Sequence, residues 1–105
     1  MKLTPIQMLV AWRRLANQRA NPALAPVFQG LQGAVAYGSA QLAGVPGLAV
    51  SGKTGTGLRH AWFAGFAPSS APEVVVVVFL ERGRGGLDAA PVAGQIFSAV
   101  ARGRK

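Results

Sequence analysis

The segment Glu73-Val74-Val75-Val76-Val77-Val78-Phe79-Leu80-Glu81 constrains this chain more than any other. It is apolar on both of the faces that a strand presents, and β-branched at most positions, so it belongs in the middle of a sheet covered on both sides and not at an edge. Exposed, such a segment is an aggregation hazard. The run is also the longest apolar stretch in the chain and is far short of the roughly 20 residues a membrane-spanning helix needs. Met1-Lys2-Leu3, followed by Pro5, Gln7, Arg13 and Arg14, lacks the apolar core and small-residue cleavage site of a secretory leader, so neither a signal nor a transmembrane segment is expected.

The valine-rich strand requires other elements to cover it, and the rest of the chain supplies them. Thr4, Pro5 and Gln7 have the places of an N-cap, a first-turn proline and the N3 partner of a capping box, which predicts a helix running to about Asn17. Ile6, Leu9, Val10 and Trp12 form its expected apolar side, with Arg13, Arg14 and Gln18 facing solvent. After the break at Asn21-Pro22 and Pro26, Phe28, Leu31, Val35 and Leu42 recur at mostly helical intervals, predicting a second helix from Val27 to about Ala43. Gly44 to Gly47 then lead into a short apolar strand, Leu48 to Ser51, which runs directly into Gly52-Lys53-Thr54-Gly55-Thr56.

Ala61 to Phe66 has the aromatic content of a further strand, and the turn Pro68 to Pro72 separates it from the valine run. A loop at Gly83 to Gly86 precedes a last helix, started by Asp88 and Pro91, with apolar positions Val92, Ile96, Phe97 and Val100. The order is helix, helix, three strands, helix. Short connections between the strands imply an antiparallel meander, so the expected fold class is α+β, a sheet of about three strands with helices packed on it. At 105 residues, half of them apolar, nothing supports more than one domain.

Eleven Lys and Arg against three acidic residues give a formal charge of +8. That balance raises a basic, non-enzymatic module that binds nucleic acid or another polyanion. The charges are scattered, however, with Arg13, Arg14 and Arg19 along the first segment, Arg82 and Arg84 in a turn, and Arg102, Arg104 and Lys105 at the end. The aromatic residues sit in expected core strands and not among the charges, so a solvated surface is the simpler reading and no nucleic acid is expected. Without cysteine and with one histidine, His60, the chain offers no metal cluster. His60 reads as a polar residue at a strand entry, and Trp62, Phe63 and Phe66 as core and cleft wall.

Gly52-Lys53-Thr54-Gly55-Thr56 is where chemistry concentrates, and it has two readings. Gly47, four residues, then Gly52-Lys53-Thr54 matches the letters of a phosphate-binding loop. Such a loop should follow a strand and open a helix, whereas here the intervening residues are strand-like, Gly55 and Gly57 start a helix poorly, and no later carboxylate ends a strand to hold magnesium. The other reading is the Lys-Thr-Gly element that accompanies Ser-x-x-Lys in serine acyl-transferases.

The flanks decide between them by resemblance. Thr4-Pro5-Ile6-Gln7-Met8 with Leu15-Ala16-Asn17, then Tyr37-Gly38-Ser39-Ala40, then His60-Ala61-Trp62-Phe63-Ala64-Gly65-Phe66-Ala67-Pro68, and finally Gly85-Gly86 with Asp88-Ala89-Ala90-Pro91 follow in the order and spacing of penicillin-binding transpeptidase domains. Ser39 replaces the Thr usual in that family's Gly-Thr-Ala or Gly-Thr-Gly segment. The chain thus resembles the C-terminal portion of one such domain, residues 1–105, in the β-lactamase-like superfamily.

The resemblance implies a Lys53 strand at the rim of a catalytic cleft and a more central valine-rich strand backed by the last helix. It implies that Lys53 supplies positive charge beside the nucleophile, that Thr54 and Thr56 bind a carboxylate, that Gly55 lets an acyl ligand lie against the strand, and that the Thr56 N–H is an oxyanion donor. Partners implied are peptidoglycan stem peptides and β-lactams in the intact domain, together with the missing N-terminal part. The implied location is the outer side of the cytoplasmic membrane, and no cofactor is implied. No Ser here is followed three residues later by Lys, and no Ser-x-Asn occurs, so the nucleophile should lie upstream and the chain alone should form no acyl-enzyme.

Overall fold

A computed structural model describes residues 4–56 and 60–103. The opening Met1-Lys2-Leu3, Gly57, and the terminal charges of Arg104 and Lys105 lie outside the described residues. Helix α1 spans Pro5–Asn17, α2 spans Ala25–Ala36 and α3 spans Ala90–Arg102, while strands β1 Ser51–Thr56, β2 Ala61–Ala67 and β3 Val74–Leu80 form one antiparallel sheet in the order β1-β2-β3.

The start of α1 is built as its residues require. The Thr4 hydroxyl accepts from the Gln7 N–H at 3.0 Å and the Thr4 N–H donates to Gln7 Oε1 at 2.9 Å, satisfying two amides that a helix start leaves without partners. Its packed face differs from the expected one. Met8 and Ala16 are buried, with Trp12 and Leu15 packed beside them, whereas Ile6 is 74% exposed and Leu9 and Val10 are also exposed. Positions 8, 12, 15 and 16 form a true helical stripe; the hydrophobicity of Ile6, Leu9 and Val10 misplaced its centre.

Strand alternation sends β2 into two cores. Phe66 meets Trp12 of α1 at a ring separation of 6.3 Å and Phe28 of α2 at 6.0 Å. Phe63 points to the other face, edge-on to Phe97 of α3 at 6.1 Å, among Val76, Val78 and Ala93. Phe28, Phe63, Phe66 and Phe97 are fully buried, and edge-to-face pairs of this kind add about 0.5–1.5 kcal/mol beyond area burial.

Four further expectations are corrected. The second helix ends at Ala36 and not near Ala43, because Gly38 packs so closely on Ala34 that a Cβ would lie 2.9 Å from its Cα; the chain turns there, and Gln41–Ala43 is a separate 3-10 turn with Leu42 exposed. The strand placed at Leu48 to Ser51 begins only at Ser51 and contains the Lys53-Thr54-Gly55-Thr56 motif. In α3 the buried residues are Ala90, Ala93, Gly94 and Phe97, while Val92 and Ile96 are exposed. The small residues decide this: a Cβ on Gly94 would lie 3.0 Å from the Leu42 carbonyl, a close approach that larger side chains would prevent.

The fourth correction concerns β3. It lies at the edge of the sheet and β2 is central. Only Val76 and Val78 are buried, on the α3 side; the remaining β3 residues are half-buried. The composition of β3 asks for a neighbour on its outer edge that the described residues do not provide. Ile6, Leu9, Val75, Val77 and Ile96 line an apolar groove at that margin.

Candidate active site

Lys53, Thr54, Gly55 and Thr56 lie on β1, at the opposite edge of the sheet from β3. Their partners across the ladder are Ala64, Phe63, Trp62 and Ala61. A strand alternates its faces, so Lys53 and Gly55 share the Trp62 and Phe66 side, and Thr54 and Thr56 share the Phe63 and α3 side. Lys53 and Thr56 are exposed, whereas Thr54 is only 7% exposed.

The Lys53 ammonium donates to the Thr54 carbonyl at 3.0 Å, folding back along its own strand. Thr54 Oγ1 lies 3.3 Å from Ser39 Oγ, with either hydroxyl able to donate. Thr56 Oγ1 accepts from the Gly85 N–H at 2.8 Å. Three separated segments therefore meet: the motif strand, the turn after α2, and the turn that opens α3. Asn21 caps the turn before α2 by accepting from the Ala23 N–H; at the motif the joining residues are Ser39, Gly85 and Gly86.

Those three were not singled out as site residues from the sequence, where Ser39 entered only as a departure from the family's Gly-Thr-Ala or Gly-Thr-Gly segment and Gly83 to Gly86 as a loop. The legible signal was the pair Gly85-Gly86 itself. A Cβ on Gly85 would lie 2.7 Å from the Gly55 oxygen and 2.9 Å from its nitrogen, and one on Gly86 would lie 2.5 Å from the Ser39 oxygen. Gly55 also has a close neighbour: the Trp62 indole covers it so closely that a Cβ there would overlap the ring. On that side the missing side chain admits the indole.

His60 stands at the entry to β2 with its ring edge-on to Phe79 at 5.9 Å, and no cluster of metal-ligating side chains occurs among the described residues. Arg19 donates to the Ser69 carbonyl at 2.6 Å and stacks over Phe28 at 5.1 Å, and Arg84 faces Asp88 at 3.7 Å, so part of the positive charge serves the fold. No helix among the described residues is long and apolar enough to cross a membrane.

The phosphate-loop reading fails on this geometry. Lys53 and Thr54 are inside a strand, and the chain goes on to β2 at Ala61, so among the described residues no helix N-terminus opens behind the motif to hold a phosphate.

Comparison with known proteins agrees. Residues 1–101 match the family model of the penicillin binding protein transpeptidase domain. The peptidoglycan D,D-transpeptidase PbpA of Mycobacterium tuberculosis is 35% identical over 78 residues, covering 60% of this chain and 16% of the relative. The transpeptidase domain of the FtsI4 D,D-transpeptidase from Legionella pneumophila superposes with a TM-score of 0.74 at 30% identity, over 93% of this chain and 47% of that one. The D,D-transpeptidase domain of a peptidoglycan glycosyltransferase from Eggerthella lenta gives a TM-score of 0.64 at 34% identity, over 74% and 20% of the two chains. The chain thus spans about a sixth of the length of the curated relative it matches.

Proposed function

The chain belongs to the penicillin binding protein transpeptidase domain family, and on that premise we propose that it supplies the Lys-Thr-Gly wall of a serine acyl-transferase that cross-links peptidoglycan stem peptides and is acylated by β-lactams. The observation that carries this reading is the placement of Lys53-Thr54-Gly55-Thr56 on an edge strand, with Lys53 and Thr56 open to solvent and the threonine hydroxyls tied back to Ser39 and Gly85.

Each residue then has a task that its position permits. The Lys53 charge stabilises the negative charge that develops as a serine hydroxyl loses its proton and attacks the peptide carbonyl. The hydroxyls of Thr54 and Thr56 receive the carboxylate of the donor peptide or of the lactam. The Thr56 N–H is one of two donors to the carbonyl oxygen as it becomes an oxyanion, a contact whose removal typically costs on the order of 10²–10³ in rate. The attacking serine, the lysine that takes its proton and the Ser-x-Asn element come from the part of the domain that lies upstream in relatives, since this sequence contains neither motif. Residues 1–105 are read as the C-terminal portion of that one domain, working on the outer side of the cytoplasmic membrane where its polymer substrate lies.

The test is cross-linking of a synthetic stem peptide to an amine acceptor by the complete domain. Lys53→Ala should reduce turnover by about 10²-fold or more, in the range set by loss of one positioned group that stabilises developing charge. Turnover that is unchanged by Lys53→Ala would remove the strand from the site.

A further inference from the structure

Thr54 and Thr56 share a face, yet the structure does not treat them alike. Thr54 is almost enclosed, with its hydroxyl against that of Ser39. Thr56 is exposed, and its oxygen is already engaged from behind by the Gly85 amide at 2.8 Å. A hydroxyl carries one proton and accepts through its lone pairs. An N–H held against the oxygen occupies an acceptor site and leaves the proton to be donated elsewhere, here to whatever lies in front of the strand.

The Gly85 amide is itself held with little freedom. Gly83 has φ +122°, a conformation that L side chains rarely adopt. The Arg84 N–H then donates to Asp88 Oδ2 at 2.6 Å while the Asp88 N–H donates back to the Arg84 carbonyl at 2.8 Å, closing the turn. Gly85 and Gly86 are pressed between the Gly55 backbone and the Ser39 carbonyl, where a Cβ at either position would overlap main-chain atoms. The turn is wedged against the two segments that carry the threonine and serine hydroxyls.

From this convergence we infer that Gly85 is a positioning residue: its N–H fixes the Thr56 hydroxyl as an outward-directed donor to the carboxylate of the ligand, which makes the diglycine turn a determinant of carboxylate preference. The inference rests on the reading of Thr56 as a carboxylate ligand. An accepted hydrogen bond also polarises the O–H that remains, strengthening it as a donor.

The experiment uses the complete transpeptidase domain and compares acylation by a penicillin with acylation by its methyl ester. Gly85→Ala, whose methyl group also presses on the Gly55 main chain, should slow both reactions but lower the ratio of free-acid to ester reactivity about tenfold, the scale of one charge-assisted hydrogen bond. An equal fall for both compounds, or no fall for either, would overturn the inference. Should Gly85→Ala fail to fold, amide exchange decides: the Gly85 N–H should exchange faster in Thr56→Val than in wild type, and equal exchange would overturn it. A wild-type domain inert to both compounds would instead remove the acyl-transfer reading, while the exchange comparison would still report on the Gly85 bond.

Discussion

Replacing the hydroxyl pair of Ser51 and Ser69 should produce strongly non-additive losses of stability. The two oxygens are 2.7 Å apart, and their residues are 1% and 2% exposed. The pair fastens the turn after β2 to the first residue of β1, and the same turn is held by the Ser69 N–H on the Ala49 carbonyl at 2.9 Å and by Arg19 on the Ser69 carbonyl. Ser51→Ala removes one oxygen and leaves the other hydroxyl buried without its partner, at a cost of about 1–3 kcal/mol, and Ser69→Ala does the same. The double variant leaves no orphan, so its loss should fall below the sum of the single losses by about 1–2 kcal/mol. The assay is urea unfolding of the four proteins. With a slope of about 1–3 kcal/mol per molar for a chain of this size, a single loss of about 2 kcal/mol moves the midpoint by about 1 M. Additivity within about 0.5 kcal/mol would show that each hydroxyl finds another partner, and would refute the reasoning.

Gly55→Ala should destabilise by about 1–3 kcal/mol, because a methyl group there overlaps the Trp62 indole, and most of that loss should vanish in a Trp62→Ala background; equal losses in both backgrounds, measured by thermal melting, would rule out the clash. Thr4→Ala should cost about 1 kcal/mol through loss of the α1 cap, visible as a lower unfolding midpoint. Ile6→Ser with Leu9→Ser should leave the midpoint within about 0.5 kcal/mol, since both side chains are exposed, while raising the concentration at which the chain alone aggregates. A large drop in midpoint would mean that α1 packs by a different face.

Element identity was legible because periodicity and punctuation agreed. The capping box at Thr4 and the valine run placed α1 and β3, and the aromatic run placed β2. What failed was phase and neighbourhood. Ile6, Leu9 and Val10 in α1, and Val92 and Ile96 in α3, are strongly hydrophobic and were therefore assigned to the packed side; the structure packs Trp12 and Phe97 as expected, but with Met8, Ala16, Ala93 and Gly94 in place of those five. Hydrophobicity alone does not register that small residues permit closer approach, and it assumes that every apolar side chain finds its partner within the chain. Ile6, Leu9 and Ile96 lie by the open edge of β3, and the chain covers only 47% of the Legionella domain it superposes on.

The motif strand was readable for a related reason. Lys53-Thr54-Gly55-Thr56 is contiguous, so its chemistry could be seen in one line of sequence. Ser39 and Gly85 reach it from 15 and 29 positions away, and only the fold brings them to the threonine hydroxyls. A glycine chosen for the absence of a side chain carries little signal about which backbone it is pressed against.

Covalent labelling with a fluorescent penicillin tests the central claim most directly, comparing this chain alone with the same chain joined to an upstream segment that carries Ser-x-x-Lys. The longer protein should be labelled, Lys53→Ala should abolish that labelling, and the shorter chain should not be labelled. Labelling of the short chain alone, or of the longer protein undiminished by Lys53→Ala, would contradict that claim.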